Sequence, residues 1–301
     1  MASWSGSSSR SALPRFAVPA TDRPSYGAGL ATVAETLGWE LLPWQSLVAG
    51  RALEHQGGQL AYRDVAVGTP RQSGKSTLVL SLIIFRMLSA PGQRVVYGAQ
   101  TRLAARTKLF DVWWPRIRRS ALGPMFSLSR ATGAEALRSA NGSSLSLMST
   151  DESAAHGETV DLGVLDECWA LDASSEQSLK PAMSTRSNAQ LWCLSTAGTV
   201  RSLFWRSKVD QGRAAAQLGV TEGSAFFEWS AADDVDVTDP ASWPEFHPAV
   251  NFTIAPETIA ADLRAMPLSE WRRAYANQWL DDVDASGWAV IPRDLWLAAE
   301  L

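Results

Sequence analysis

The segment that most constrains this chain is Thr69-Pro70-Arg71-Gln72-Ser73-Gly74-Lys75-Ser76. It follows an apolar run that ends at Gly68 and opens a run from Gly74 to Ser89 that is apolar on nearly every side. A loop between a buried strand and a buried helix directs backbone N–H groups and the positive end of the helix dipole at one point, where a phosphate group can bind. The sequence therefore predicts a phosphate-binding loop.

Each part of this loop has a chemical role. Gly74 lets the backbone approach a phosphate without a Cβ, Lys75 can reach the β- and γ-phosphates, and the Ser76 hydroxyl can bind Mg²⁺. The usual pattern has a glycine where this chain has Thr69, with Gly68 one position early. We predict ATP and Mg²⁺ as the ligands. The predicted nucleotide-binding residues are Gln45, Thr69, Pro70, Arg71, Gln72, Ser73, Gly74, Lys75, Ser76 and Thr77.

Apolar runs of strand length alternate with helical patterns through the middle of the chain, which indicates an α/β domain with a mostly parallel sheet. Six strands are predicted at 61–68, 94–99, 144–149, 160–165, 190–196 and 224–229. Four helices are predicted at 74–89, 101–120, 174–183 and 202–216, with a turn-rich hairpin at 131–144. We expect a flexible N-terminal arm over 1–30 and a P-loop ATPase core over 31–220. The C-terminal part of the ATPase, with acidic loops and a helical subdomain, is expected over 221–285.

The helical subdomain is predicted from the pattern after Pro256. Pro267 ends one helix, and a second begins at Leu268. In the second helix, Leu268, Trp271, Tyr275 and Trp279 fall on one apolar face, which we expect to pack on the ATPase body.

An acidic pair follows the predicted strand at 160–165. A magnesium nucleotide site needs a carboxylate at the end of a buried strand to hold the cation, and hydrolysis needs a general base that orients water. Asp166 is predicted as the metal ligand and Glu167 as the base. The predicted catalytic residues are Glu167, Arg71 and Lys75, and the predicted metal ligands are Ser76 and Asp166.

Two further elements fit the same site. Ser195-Thr196-Ala197-Gly198 ends the next apolar strand with small hydroxyl residues that could sense the γ-phosphate, or it is a plain turn. The Gln45 amide has a donor and an acceptor that match the edge of adenine, although a polar residue is also ordinary at a helix start.

The net charge of −4 hides a segregation of charge along the sequence. Eight basic residues against two acidic ones lie between Arg102 and Arg138. This stretch is either a solvated helix face or a track for DNA phosphates. The DNA-binding candidates are Arg102, Arg106, Arg116, Arg118 and Arg119.

The sequence excludes two other classes of protein, those that span a membrane as a helix and those built on a disulfide framework. The longest apolar stretch, from Leu78 to Phe85, is far shorter than the roughly 18 residues of a membrane-spanning helix. Two cysteines, Cys168 and Cys193, do not make a disulfide framework, and we expect both to be buried thiols.

In chain order, Pro43-Trp44-Gln45, Arg71 to Ser76, Val164-Leu165-Asp166-Glu167 and Ser195 to Gly198 resemble the ATPase part of the large terminase subunit of tailed bacteriophages. The resemblance extends to Tyr97-Gly98-Ala99-Gln100 with Ala104 and Phe110, the Ala155-His156-Gly157 turn, and the segments Glu270-Trp271 and Asn277-Gln278-Trp279. It covers about residues 38 to 300.

The resemblance implies an ATPase of the additional-strand, RecA-like type that drives double-stranded DNA into a procapsid. It implies a ring of subunits that acts with the portal protein and the small terminase subunit, in the host cytoplasm and transiently at the portal vertex. Residue by residue, it assigns adenine contact to Gln45, and coupling of hydrolysis to movement to Ser195, Thr196, Ala197 and Gly198. Arg71 matches the loop arginine of the family, which stabilises the transition state in cis or reports on the nucleotide.

Large terminases usually carry a C-terminal nuclease with clustered carboxylates that hold two metals. This chain ends at Leu301, where that domain would start, so we expect no nuclease activity from it. Asp281, Asp282 and Asp284 are predicted to belong to a linker region, and 286–301 to lead toward the missing domain.

Three other functions share parts of this pattern. A helicase-like DNA-dependent ATPase shares the loop and the acidic pair, but the roughly 85 residues after position 216 are too few for a second RecA-like domain. A structural ring subunit that binds ATP without turnover would not need the acidic pair intact. A small-molecule kinase would need an arginine-rich lid and would have no use for Glu167.

Overall fold

The computed structural model describes residues 11–148 and 159–279, and these form a sheet with helices on both faces. The strands are β1 (Phe16–Ala17), β2 (His55–Gln56), β3 (Gln59–Leu60), β4 (Tyr62–Gly68), β5 (Arg94–Gly98), β6 (Phe126–Ser129), β7 (Ala136–Ser139), β8 (Ser144–Leu147), β9 (Leu162–Asp166), β10 (Gln190–Ser195) and β11 (Gly223–Glu228). The helices are α1 (Gly27–Thr36), α2 (Pro43–Ala52), α3 (Lys75–Ser89), α4 (Arg102–Thr107), α5 (Trp114–Arg119), α6 (Ala173–Met183), α7 (Leu203–Gln217), α8 (Trp243–Phe246), α9 (Pro256–Ala265) and α10 (Leu268–Tyr275).

Among these residues, nine strands form the central sheet in the order β1-β11-β4-β10-β9-β5-β8-β7-β6. The six strands from β11 to β8 run parallel, and β1, β7 and β6 are antiparallel to their neighbours. β10 lies between β4, which leads into the phosphate loop, and β9, which ends at Asp166. This inserted strand defines the additional-strand class of P-loop ATPases, so the predicted fold class is confirmed.

The register of the sheet brings the predicted site residues to one edge. Ser195 is paired with Gly68, and Leu194 with Asp166. The carboxyl ends of β4, β10 and β9 therefore meet, as is usual for ligand sites in open α/β sheets.

Both faces of the sheet are covered, which explains why its strands read as continuous apolar runs. Val164 packs into the cluster that contains α3, where Leu78 and Ile83 are fully buried. Its neighbour Leu165 packs into the opposite cluster with Phe204 of α7.

The predicted strands and helices are present, with three differences. The predicted helix at 101–120 contains a π-helical segment, Lys108–Trp113, between α4 and α5. β11 lies beyond the predicted core boundary at residue 220, yet it is a strand of the central sheet. Residues 11–30 were expected to belong to a flexible arm, but β1 pairs with β11 and Leu30 is fully buried.

The expected apolar face of the last helix is only partly correct. α10 ends at Tyr275 because Asn277 adopts a left-handed backbone with φ of +52°, so Trp279 lies outside the helix. Leu268 is 44% exposed. Trp271 and Tyr275 pack with Trp243 in a C-terminal cluster, whereas Trp279 packs against the cluster of Leu165 and Phe204 on the sheet.

None of the helices within the described residues is long and apolar enough to cross a membrane. Cys168 and Cys193 are both buried thiols, as expected.

Candidate functional site

The phosphate loop joins β4 to α3, and its backbone requires a glycine at position 74. Gly74 has φ of +91°, in the left-handed region, and a Cβ there would lie 2.9 Å from Nε2 of Gln45. Gln72 also has a positive φ, +60°. Lys75 is the first residue of α3, so the loop ends at the helix N-terminus as predicted.

The loop is held from one side by α2. The indole nitrogen of Trp44 donates to the Ser73 carbonyl at 2.9 Å, and Nε2 of Gln45 donates to the Gly74 carbonyl at 2.8 Å. Oε1 of Gln45 accepts from the Leu42 N–H at 2.7 Å, which caps α2. Gln45 is buried, and its amide thus binds the loop in this structure; adenine contact remains a prediction.

The C-terminal segment holds the loop from the other side. The Arg71 N–H donates to the carbonyl of Ala274 in α10 at 2.7 Å, and Nε2 of His247 lies 3.1 Å from the Arg71 carbonyl. Burial lowers the pKa of His247 to about 4. The neutral imidazole therefore donates its Nε2 proton to the loop. The Arg71 side chain itself is exposed.

Lys75 is buried between the loop and the acidic pair. Its Nζ lies 3.5 Å from the Pro70 carbonyl. Burial lowers the pKa of Lys75, whereas the carboxylates of Glu167 and Asp166 act to raise it. The structure thus brings together the phosphate-loop lysine and both predicted acidic residues. Ser76 and Thr77 lie beside Lys75 in the first turn of α3 and are half-buried.

Asp166 is 1% exposed at the end of β9 and is surrounded by donors. Its Oδ2 accepts from the Tyr97 hydroxyl at 3.0 Å and from Nζ of Lys108 at 2.7 Å, and its Oδ1 accepts from the Glu167 N–H at 3.0 Å. Burial, with Asp166 beside it, raises the pKa of Tyr97 well above its usual value. The sequence analysis did not predict Lys108 or Tyr97 as site residues, although Tyr97 belongs to the segment Tyr97-Gly98-Ala99-Gln100 that resembles the terminase family.

Glu167 stands in a strained backbone conformation, with φ of +56°. For a residue that is not glycine, such a conformation costs on the order of 1–3 kcal/mol and is concentrated at active sites. Its Oε2 accepts a hydrogen bond from the indole nitrogen of Trp169 at 2.8 Å. The strained turn and the indole together fix where the carboxylate lies.

The segment Ser195 to Gly198 contacts each of the surrounding parts. The Ser195 carbonyl accepts from the Thr69 N–H at 3.0 Å, and its hydroxyl accepts from the Trp169 N–H at 2.9 Å. The Ala197 N–H donates to Oδ1 of Asn277 at 2.5 Å. Thr196 is fully buried. A displacement of this strand end would therefore change contacts with the phosphate loop, with the turn after Glu167 and with the C-terminal segment.

The residues present fit a magnesium nucleotide. Asp166 already holds a cationic ammonium at 2.7 Å, so its carboxylate is placed to bind a cation. No group of three or more metal-ligating side chains occurs in the parts of the chain that the structure describes. Mg²⁺ is usually held by one or two protein ligands together with phosphate oxygens and water, as Asp166 and Ser76 would provide.

The five candidate DNA-binding arginines lie along one helical stretch but differ in their contacts. Arg102 and Arg106 both form ion pairs with the buried Glu135, at 2.6 and 3.6 Å. Arg116 stacks on Trp39, 4.7 Å from the ring centroid. Arg118 and Arg119 are exposed at the end of α5. The positive charge of this stretch is thus partly neutralised by Glu135. Contact of these arginines with DNA remains a prediction.

Two groups of motif residues lie outside the described part of the chain. They are the turn Ala155, His156 and Gly157, and the acids Asp281, Asp282 and Asp284.

Solved structures with a similar fold are large terminases of bacteriophages. The large terminase of bacteriophage HK97 matches with a TM-score of 0.71 and 17% identity, over 85% of this chain and 55% of that protein. The ATPase domain of the Thermus phage P74-26 large terminase matches with a TM-score of 0.56 and 19% identity, over 86% of this chain and 100% of that domain. The chain thus has the fold of a large terminase ATPase domain.

A third match is the large terminase of a thermophilic bacteriophage in complex with ADP, with a TM-score of 0.52 and 13% identity over 85% of this chain and 54% of that protein. The chain spans about half the length of this protein and of the HK97 terminase. No family model and no curated protein matches the sequence.

Proposed function

We propose that this chain is the ATPase motor of a viral large terminase, which uses Mg²⁺-dependent ATP hydrolysis to move double-stranded DNA into a procapsid. The observation that carries the proposal is the juxtaposition at one sheet edge of the phosphate loop, the buried Asp166 with the strained Glu167, and the strand end Ser195 to Gly198. The likeness in fold to three large terminases supports it.

The residues of the chain have distinct roles in this mechanism. The loop N–H groups and Lys75 bind the phosphates, and Ser76 and Asp166 would hold Mg²⁺. The cation would supply positive charge beside the phosphates. Glu167 accepts a proton from the attacking water. Trp169 holds the Glu167 carboxylate in place for this step through its 2.8 Å hydrogen bond.

Arg71 is the candidate for stabilising the transition state. Its backbone is fixed by Ala274 and His247, while its side chain is exposed at the loop. A planar guanidinium can form a fork with two phosphate oxygens, which lysine cannot do.

Movement is transmitted through the strand end after β10. Loss of the γ-phosphate changes the loop, and the 3.0 Å bond between Thr69 and Ser195 passes that change to Ala197 and Asn277. The C-terminal segment then moves relative to the sheet.

We propose that DNA is contacted by Arg116, Arg118 and Arg119, since Arg102 and Arg106 are paired with Glu135. The further partners are the portal protein, the small terminase subunit and other copies of the chain in a ring, in the host cytoplasm and at the portal vertex.

The test is ATP turnover by the purified chain with Mg²⁺ or with EDTA, with and without double-stranded DNA. We expect turnover that requires Mg²⁺ and rises with DNA, and that is abolished in Lys75→Ala. Reversing Arg118 and Arg119 to Glu should reduce DNA stimulation and its dependence on salt, because each phosphate contact releases counterions. Reversal to Glu of two exposed arginines, Arg264 of α9 and Arg272 of α10, is the matched control. ATP binding without turnover, even with DNA, would instead favour a structural ring subunit.

A further inference from the structure

Lys108 pairs with the carboxylate that the proposed site needs for its metal. Its Nζ lies 2.7 Å from Oδ2 of Asp166, and the same oxygen accepts from Tyr97. The other oxygen, Oδ1, accepts from the Glu167 N–H. The Lys108 ammonium thus occupies the cation position on Asp166.

A divalent cation and this ammonium cannot share Oδ2, because two positive charges a few ångströms apart repel strongly in a site shielded from water. Asp166 is 1% exposed, so the competition takes place at a buried carboxylate. Metal binding therefore requires Lys108 to move.

Lys108 is placed so that it can move. Its side chain is 25% exposed, whereas Lys75 is buried. Lys108 is also the first residue of the π-helical segment Lys108–Trp113. Such segments inside α-helices are frequently found at functional sites.

Lys108 belongs to the same group of charges as the phosphate loop. The positive charges of Lys108 and Arg71 lower the pKa of Lys75, in addition to the larger effect of burial, while Glu167 and Asp166 raise it. An ammonium that leaves Asp166 therefore remains within the group of charges that includes Lys75, the residue predicted to bind the phosphates. The strongest interaction open to it there is with a phosphate oxygen.

We propose that Lys108 is a second lysine of the nucleotide site, which holds Asp166 when no metal is bound and pairs with the terminal phosphate once Asp166 binds Mg²⁺. The proposal rests on the proposed function of the site. It makes Lys108 a residue that distinguishes a nucleoside triphosphate from a diphosphate.

The first test measures metal binding without nucleotide, with Mn²⁺ as a paramagnetic probe. Lys108→Gln should bind Mn²⁺ about tenfold more tightly than wild type, because a charge-assisted contact no longer competes. Asp166→Asn in the same variant should remove this binding. The matched control is Lys208→Gln, which removes a 2.6 Å ion pair with Glu176 between α7 and α6, at a similarly buried lysine. Equal Mn²⁺ affinity of Lys108→Gln and wild type would overturn the proposal.

The second test compares affinities for ATPγS and ADP in the presence of Mg²⁺. Lys108→Gln should lower the preference for ATPγS by about tenfold, and Lys108→Arg should keep it, because only the charge at the terminal phosphate is needed. An unchanged preference in Lys108→Gln, in a protein whose Lys75→Ala variant no longer binds nucleotide, would overturn the proposal while the proposed function stands.

If wild type binds neither nucleotide, the proposed function fails, and the second half of the proposal fails with it. The Mn²⁺ measurement still decides whether Lys108 competes for Asp166. Circular dichroism melting of each variant checks that it is folded. If Lys108→Gln does not fold, Lys108→Met removes the charge while keeping an unbranched side chain, and the same two outcomes are expected of it.

Discussion

The amide nitrogen of Gln45 donates a hydrogen bond to the carbonyl oxygen of Gly74 at 2.8 Å. This bond joins the start of α2 to the last residue of the phosphate loop. The other end of the same amide caps α2 at Leu42. Gln45 therefore acts on any nucleotide that uses the loop, whatever its base.

We expect Gln45→Ala to weaken the binding of ATP and GTP by similar factors, about five- to tenfold, since one buried hydrogen bond is lost at the loop. Competition binding with both nucleotides measures the two affinities. A loss confined to ATP would show instead that the amide recognises adenine.

Arg71→Ala should lower ATP turnover by at least about 100-fold with little change in nucleotide affinity, because a guanidinium at the transferring phosphoryl group acts in the transition state. Arg71→Lys should recover only part of the rate, since lysine cannot form the fork. Steady-state and single-turnover assays give the rates. Near-full turnover by Arg71→Ala would remove Arg71 from catalysis.

His247 makes stability depend on pH. Burial lowers its pKa from 6.5 to about 4, so between these values the unfolded chain takes up a proton that the folded chain does not. The free energy of unfolding that this group contributes is fully present above pH 6.5 and is lost as the pH falls toward 4, by about 3 kcal/mol in total.

His247→Asn should remove this part of the pH dependence in urea unfolding. His55→Asn is the control, since His55 stacks on Tyr26 at 4.0 Å, away from the loop. If His247→Asn and wild type lose stability in parallel between pH 6.5 and 4.5, the imidazole is not buried neutral against Arg71.

Asn277 joins the strand end after β10 to Trp229, which follows β11. It is buried, its Oδ1 accepts from Ala197, and its Nδ2 donates to the Trp229 carbonyl at 2.8 Å. Asn277→Leu should destabilise the fold by about 2–4 kcal/mol, because both backbone groups lose a buried partner and leucine is strained at the φ of +52° that Asn277 adopts.

Asn188 provides the matched control for this variant. It also makes two hydrogen bonds to backbone groups, of Leu60 and Gly58, but it is exposed. Asn188→Leu should cost less than about 1 kcal/mol, since water replaces the lost bonds. Similar losses for the two variants in urea denaturation would contradict the role given to Asn277.

The sequence predicts those parts of the fold whose residues form a recognisable pattern within a short stretch of the chain. β9 and α3 are continuous apolar runs next to motif residues, so the phosphate loop and the acidic pair could be assigned from neighbours in the chain. α1 was not predicted because it packs through Gly27, Leu30 and Ala34, which give a weak apolar pattern.

Contacts across the fold were not predictable in the same way. Lys108 reaches Asp166 only because β5 lies beside β9, an order that no local pattern determines. The pairing of Arg102 with Glu135 likewise joins residues 33 positions apart, so the sequence did not show which of the basic residues are paired. His247 contacts Arg71 through the packing of the C-terminal segment.

The central claim is that Glu167, held at a strained turn and by Trp169, activates water for hydrolysis of ATP bound at the phosphate loop. The most direct measurement is steady-state hydrolysis by wild type and Glu167→Gln, with nucleotide affinity measured in parallel and double-stranded DNA present and absent. We predict that the variant binds ATP like wild type and turns it over at least about 100-fold more slowly. Equal turnover by the two proteins, with Mg²⁺ and DNA present, would contradict this account.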